Sequence, residues 1–201
     1  MSRPVVAAPR IPPVEPPYTA DAAEQIARWM PRGAAVEPLK LFRTLAQHVP
    51  LAQAMHPLGR YFLGRQFSVG LHVREVVIDR VCARCGCEYE WGVHAAAFGA
   101  AAGLDEAQVR ASAIGASADP AWAETDALLV RLVDELHDTG HVSDELWTAL
   151  AQRWSPSQLL ELLVLAGWYH VISYVANGAR VELEDWARRF PDQADASRQQ
   201  A

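Results

Sequence analysis

The chain has 201 residues, 51% hydrophobic and 21% charged, with a net charge of -6. Such a composition belongs to a folded chain rather than a disordered one, and a pI near 5.6 offers no basic face for nucleic acid. No apolar run approaches the roughly 18–20 residues that span a bilayer, and the start MSRPVVAAPRIPPVEPP lacks a secretory h-region, so a cytoplasmic protein with no membrane partner is expected.

Residues 1–20 hold six of the 13 prolines. Proline fixes φ and removes a backbone donor, so this segment reads as an extended arm, laid over a neighbouring subunit or left as a loose tail. From residue 21 to 190 the text is helical and reads as one domain, followed by a polar tail at 191–201. Asp21 is placed to cap Ala22–Met30, with Pro31-Arg-Gly33 as its stop. Glu37-Pro38 opens a helix with Leu39, Phe42 and Leu45 on its apolar stripe, and Pro50 opens another over Leu51–Leu63.

Leu71–Cys85 reads as a helix with Val73, Val77, Ile78, Val81 and Cys82 inward. Gly86 breaks it, and a second helix, Cys87–Ala102, is slim with alanine and ends at Gly103. Asp105 caps a helix to about Ala113. Asp119-Pro120 is a cap-and-proline start for a long helix to about His137. Ser143 caps a short helix, Ser155-Pro156 starts the most apolar one, Leu159–Asn177, and a last short helix is expected over Leu183–Arg189. No period-2 alternation survives anywhere, so the fold class expected is all-α, with about eight or nine helices.

All three cysteines, Cys82, Cys85 and Cys87, fall in one stretch with Glu75, Glu90 and His94. On a helix Cys87, Glu90, Trp91 and His94 stand at i, i+3, i+4 and i+7, which puts a thiol, a carboxylate and an imidazole on one face. Glu90 and His94 form a carboxylate–imidazole pair suited to proton transfer near neutral pH, or a simple surface pair. Glu75, one helix earlier, reaches that pair only if the two helices fold back on each other. Cys87, in the first turn of its helix, is expected to be a lowered-pKa thiolate or a small buried hydrophobe. Cys82 and Cys85 read as core. Cys82, Cys85, Cys87 and His94 lack the usual paired metal-ligand spacing, so no metal is expected. In Trp168-Tyr169-His170-Val-Ile-Ser173-Tyr174-Val-Ala-Asn177 polar groups interrupt an apolar run. His170 there lines the same pocket or is a hydrogen-bonded core histidine.

The spacing Glu75-x11-Cys87-x6-His94, with REVVIDRVCARCGCEYEWGVHAAAFGAAAGL around it and LKLFRTLAQHVPLAQAM and LLVLAGWYHVISYVANGARVELEDW on either side, resembles the carboxymuconolactone decarboxylase and alkylhydroperoxidase D-like family over about residues 37–190. A glutamate, Glu90, stands where the thiol peroxidases carry their second cysteine, and Tyr-Glu-Trp-x-x-His resembles the decarboxylase-like branch. The resemblance implies a helical bundle whose site sits on a hairpin, and a homo-oligomer, often a trimer or hexamer. It implies cofactor-free acid/base chemistry on a small organic acid, lactone or carbonyl compound, with Glu75, Cys87, Glu90 and His94 catalytic and Tyr89, Trp91 and His170 toward the substrate. Within that reading Glu90 orients His94 and Glu75 shuttles the proton. The alternatives are a thiol-dependent hydroperoxide reductase using Cys87 and a non-catalytic oligomeric module whose pocket Trp91 or Tyr89 has filled.

Overall fold

A computed structural model describes residues 8–30 and 37–191. Among these the secondary structure is helical, with nine α-helices and one 3-10 turn: α1 (Ala20–Trp29), α2 (Lys40–Leu45), the 3-10 turn Ala46–His48, α3 (Val49–Phe62), α4 (Leu71–Arg84), α5 (Glu88–Ala97), α6 (Glu106–Ile114), α7 (Glu124–Thr139), α8 (Asp144–Ala151) and α9 (Pro156–Ala179). Where the sequence suggests one domain, the chain groups into two compact units. One is Met1–Phe67 with Val175–Glu184, the other Ser68–Tyr174 with Asp185–Ala201.

In the first unit Thr19, not Asp21, caps α1, its hydroxyl accepting from the Ala22 amide. Asp21 instead lies in the first turn, where a negative charge suits the helix dipole. The expected stop at residues 31–33 lies outside the described residues. Ala22, Ile26 and Ala46 form a small core against which Val14 and Tyr18 pack. The described part of the proline-rich segment, from residue 8, is thereby tied to its own chain: the Arg10 amide donates to the Ala179 carbonyl and the Val14 amide to that of Arg43. Arg43, 4% exposed, binds Glu15 at 2.6 Å and Glu37 at 3.1 Å.

The second unit is organised by α4. Nine consecutive residues from Arg74 to Cys82 are buried, so this helix is enclosed all round rather than on one stripe, and each of its charged groups needs a partner inside. Arg80 finds one in Asp134 of α7, through two bonds of 2.7 and 2.8 Å, and donates to the Gly115 carbonyl at 2.8 Å. Two parallel bonds fix α7 against α4 in orientation as well as distance. α4 ends at Arg84, and Gly86 beyond it, with a φ of +60°, lets the chain reverse into α5.

Four expectations about elements are corrected. α5 ends at Ala97 rather than Ala102, because Phe98 leaves helical geometry to pack on His94, ring centroids 5.1 Å apart, beneath the Arg74 guanidinium. α7 begins at Glu124, not at Asp119-Pro120: the Asp119 carboxylate accepts from the Ala121 amide in a local turn that buries Trp122. No helix covers Leu183–Arg189. There Arg188 binds Glu106 through two bonds of 2.6 and 2.7 Å and the Phe190 amide donates to Glu88, so side chains replace helical bonds. Finally, α9 is 24 residues long with a mean hydropathy of 1.6 over its most apolar window, long and apolar enough to cross a membrane. Half of that window is buried inside the protein.

Candidate functional site

The fold-back of α5 on α4 brings Glu75 and His94 together. Glu75 Oε2 lies 2.8 Å from His94 Nδ1, while Glu75 Oε1 accepts from Arg74 Nε at 2.6 Å. The Glu75 side chain is wholly buried and His94 is 3% exposed. On the other edge of the ring, His94 Nε2 is 3.2 Å from the Tyr169 hydroxyl and 3.5 Å from Glu90 Oε1. Tyr169 comes from α9 and meets the imidazole edge-on.

Burial alone would lower the His94 pKa, but the charge and hydrogen bond of Glu75, with Glu90, push it up to about 10. The ring is therefore an imidazolium at neutral pH, with Nδ1–H donating to Glu75 and Nε2–H pointing between Tyr169 and Glu90. Burial would likewise raise Glu75. His94 first, then Arg74, override it and hold the carboxyl below its ordinary value. The roles expected of the two glutamates are thus exchanged in geometry. Glu75, gripped on both oxygens, orients the ring; Glu90, whose Oε2 has no hydrogen-bond partner among the described residues, is the carboxylate with an acceptor to spare.

Cys87 caps the start of α5, and of the two fates open to it, lowered-pKa thiolate or small buried hydrophobe, it takes the second. It is fully buried, and burial pushes it up to about 12 against the pull of the Glu90 backbone amide. Desolvation outweighs the helix terminus. Cys82 is raised by burial in the same way, and none of Cys82, Cys85 and Cys87 forms a disulfide.

Tyr89 is buried. Trp91 donates from its indole to the Ser112 hydroxyl at 2.9 Å and packs on Phe190. Trp91 also lines a cavity of about 270 Å³ with Glu106, Val109, Arg110, Arg188, Arg189 and Pro191. Glu75, Glu90 and His94 do not line it. His170 does not join the His94 cluster either: next to Tyr169 in α9 but about 100° round the helix from it, its ring pairs with His137.

Two members of the cluster escaped the sequence reading. Nothing in the local text separates Tyr169 from its neighbour His170, although Tyr169 and Ser173, at i and i+4, mark the polar line that faces inward. Asp79 is one turn after Glu75, fully buried, and neither of its oxygens has a hydrogen-bond partner among the described residues. Burial first, and Glu75 beside it, raise its pKa well above the ordinary value, with His94 and Arg188 pulling the other way. A raised acid costs nothing below its unfolded pKa of about 3.8 and progressively more above it. Asp79→Asn is therefore expected to raise stability at pH 7 by about 1–3 kcal/mol and to change it little at pH 3.5, as urea unfolding at the two pH values will show.

No protein-family model, curated protein or solved structure matches this chain.

Proposed function

We propose that this chain is a carboxymuconolactone decarboxylase-like enzyme that performs cofactor-free acid/base chemistry, decarboxylation or proton transfer, on a small organic acid, lactone or other carbonyl compound. The observation that carries this reading is the 2.8 Å contact between Glu75 and His94, which keeps an imidazolium inside the protein. Loss of CO2 or of a proton from such a substrate leaves an enolate-like anion. A fixed Nε2–H donor in a water-poor site stabilises that charge without reorganising. Glu90, with an acceptor oxygen unused, takes up or returns the proton. The cavity beside Trp91 lies apart from this cluster, and of its arginines Arg188 is bound by Glu106 and Arg189 by Glu88.

The thiol-peroxidase alternative is disfavoured by the Cys87 thiol. Burial pushes that thiol up to about 12, so it is a neutral thiol at pH 7, and the thiolate is the reactive form. Screening the purified protein against lactone acids and against organic hydroperoxides separates the two. Turnover of a hydroperoxide with loss of titratable thiol, and none of any acid or lactone, overturns the first reading.

We further propose that the chain is a homo-oligomer. Leu160, Val164, Val171 and Tyr174 of α9 are 62%, 42%, 44% and 67% exposed, and steps of four, seven and three residues place them on one stripe of the helix. A continuous apolar stripe of this kind is self-complementary across a symmetry axis. The double substitution Leu160→Asp, Tyr174→Asp is expected to reduce the sedimentation coefficient to that of a monomer; a parent chain that already sediments as a monomer refutes the assembly.

A further inference from the structure

Where α4 ends, three side chains from different elements converge: Cys85 just past α4, His137 in the last turn of α7 and His170 midway along α9. The Cys85 sulfur and one nitrogen of each ring all lie within 4.8 Å of one another, and all three residues are half-buried. His137 Nδ1 is 3.0 Å from His170 Nε2, the rings 5.3 Å apart. The three stand far apart in sequence, so no linear spacing announces them.

The tautomer of His170 follows from its other contact. Its Nδ1 is 2.9 Å from the Ala166 carbonyl oxygen, which only accepts, so Nδ1 carries the hydrogen and the Nε2 lone pair faces the cluster. A backbone carbonyl on the remote N–H is the usual outer support of a metal-ligating imidazole. Arg84, close by, pairs with Asp134 at 3.5 Å and with Asp138.

We propose that Cys85 Sγ, His137 Nδ1 and His170 Nε2 bind a borderline-soft first-row transition ion of the Zn²⁺ class, with a fourth position left open to water or a small ligand. Two imidazoles and a thiolate are the donor set that such ions select over oxygen-seeking Mg²⁺ or Ca²⁺. Bonds of about 2.0–2.1 Å to nitrogen and about 2.3 Å to sulfur set the edges of a tetrahedral site at about 3.3–3.7 Å. The two ring nitrogens stand at 3.0 Å and all three donor atoms within 4.8 Å of one another, so side-chain rotation on metal entry closes the site. On entry the ion displaces the Cys85 thiol proton to solvent, and the His137 hydrogen moves from Nδ1 to Nε2. The site shares no residue with the Glu75–His94 cluster and does not depend on the proposed chemistry there.

The test is a titration of the metal-free full chain with Co²⁺, which reports a bound thiolate through a charge-transfer band in the near ultraviolet. The band is expected to saturate at one Co²⁺ per chain and to be bleached by added Zn²⁺. Cys85→Ser is expected to remove it. His170→Ala is expected to weaken Co²⁺ binding by more than the ~10–100-fold that loss of an outer partner costs, and His141→Ala, at an exposed position, to leave it unchanged. The proposal fails if the parent chain gives no thiolate band, or if the band survives Cys85→Ser, which would put the cobalt on Cys82 or Cys87. Because the parent titration needs no substitution, a variant that misfolds leaves the test intact.

Discussion

Replacing His94 by alanine is expected to lower turnover of the lactone or acid substrate by about 10²–10⁴-fold, the usual worth of a positioned acid/base group, while Cys87→Ser keeps most of it. The argument rests on which group holds a proton at neutral pH. His94, pushed up to about 10, is charged and has one N–H committed to Glu75 and one facing Tyr169 and Glu90; Cys87, pushed up to about 12, is a neutral thiol. Removing the imidazole removes the fixed positive charge and both donors at once. Removing the thiol sulfur removes a small buried group. Glu90→Gln is expected to slow turnover with little change in KM, because its role lies in exchanging the proton rather than in holding substrate. Equal rates for His94→Ala and the parent discard the mechanism; a Cys87→Ser variant as inactive as His94→Ala shifts the chemistry to sulfur.

The hairpin that makes this possible was legible in the sequence because it is a local matter. The i, i+3, i+4, i+7 spacing of Cys87, Glu90, Trp91 and His94 fixes a helical face, and Gly86 fixes where the chain reverses, so the meeting of Glu75 with His94 follows from twenty residues of text. Tyr169 was not legible in this way. It lies 75 residues from His94, and in an apolar helix tyrosine, histidine and serine are equally plausible as the polar group that turns inward. Asp79 was hidden for the opposite reason: an aspartate next to arginine on a helix reads as a solvated charge unless the helix is enclosed all round, and enclosure is a property of the packing of α5, α6 and α7 on α4. Helix ends depart from the sequence pattern where a bulky side chain has a better use elsewhere, as with Phe98 over His94 and Trp122 in the turn before α7. The pairing of His137 with His170 and Cys85 needed three elements in place before it existed at all.

Glu75→Gln, which keeps the volume of the side chain and removes only its charge, is expected to destabilise the protein by about 3–5 kcal/mol, the cost of breaking one side of a buried ion pair. No cavity opens, so the loss is electrostatic. Arg74 is left in its buried place over the Phe98 ring without the carboxylate that accepts from its Nε, and His94 loses the partner that keeps it charged. The pH dependence identifies the pair. His94 is raised above its ordinary 6.5, so its contribution is complete below about pH 6.5 and is lost as the pH climbs through about 10. Glu75 is held below its ordinary 4.5, so its contribution is complete above about 4.5 and is lost as the pH falls through the lowered value. The stability gap between parent and Glu75→Gln is therefore expected to be widest between about pH 4.5 and 6.5 and to close toward pH 10. Urea unfolding across that range measures it, and ring-proton NMR of His94 gives the titration directly, expected to drop from about 10 to its ordinary value or lower in the variant. A gap that stays constant from pH 6.5 to 10, or a His94 ring that titrates alike in both proteins, means that the imidazole is neutral in the fold. The donor on which the proposed chemistry depends would then be absent.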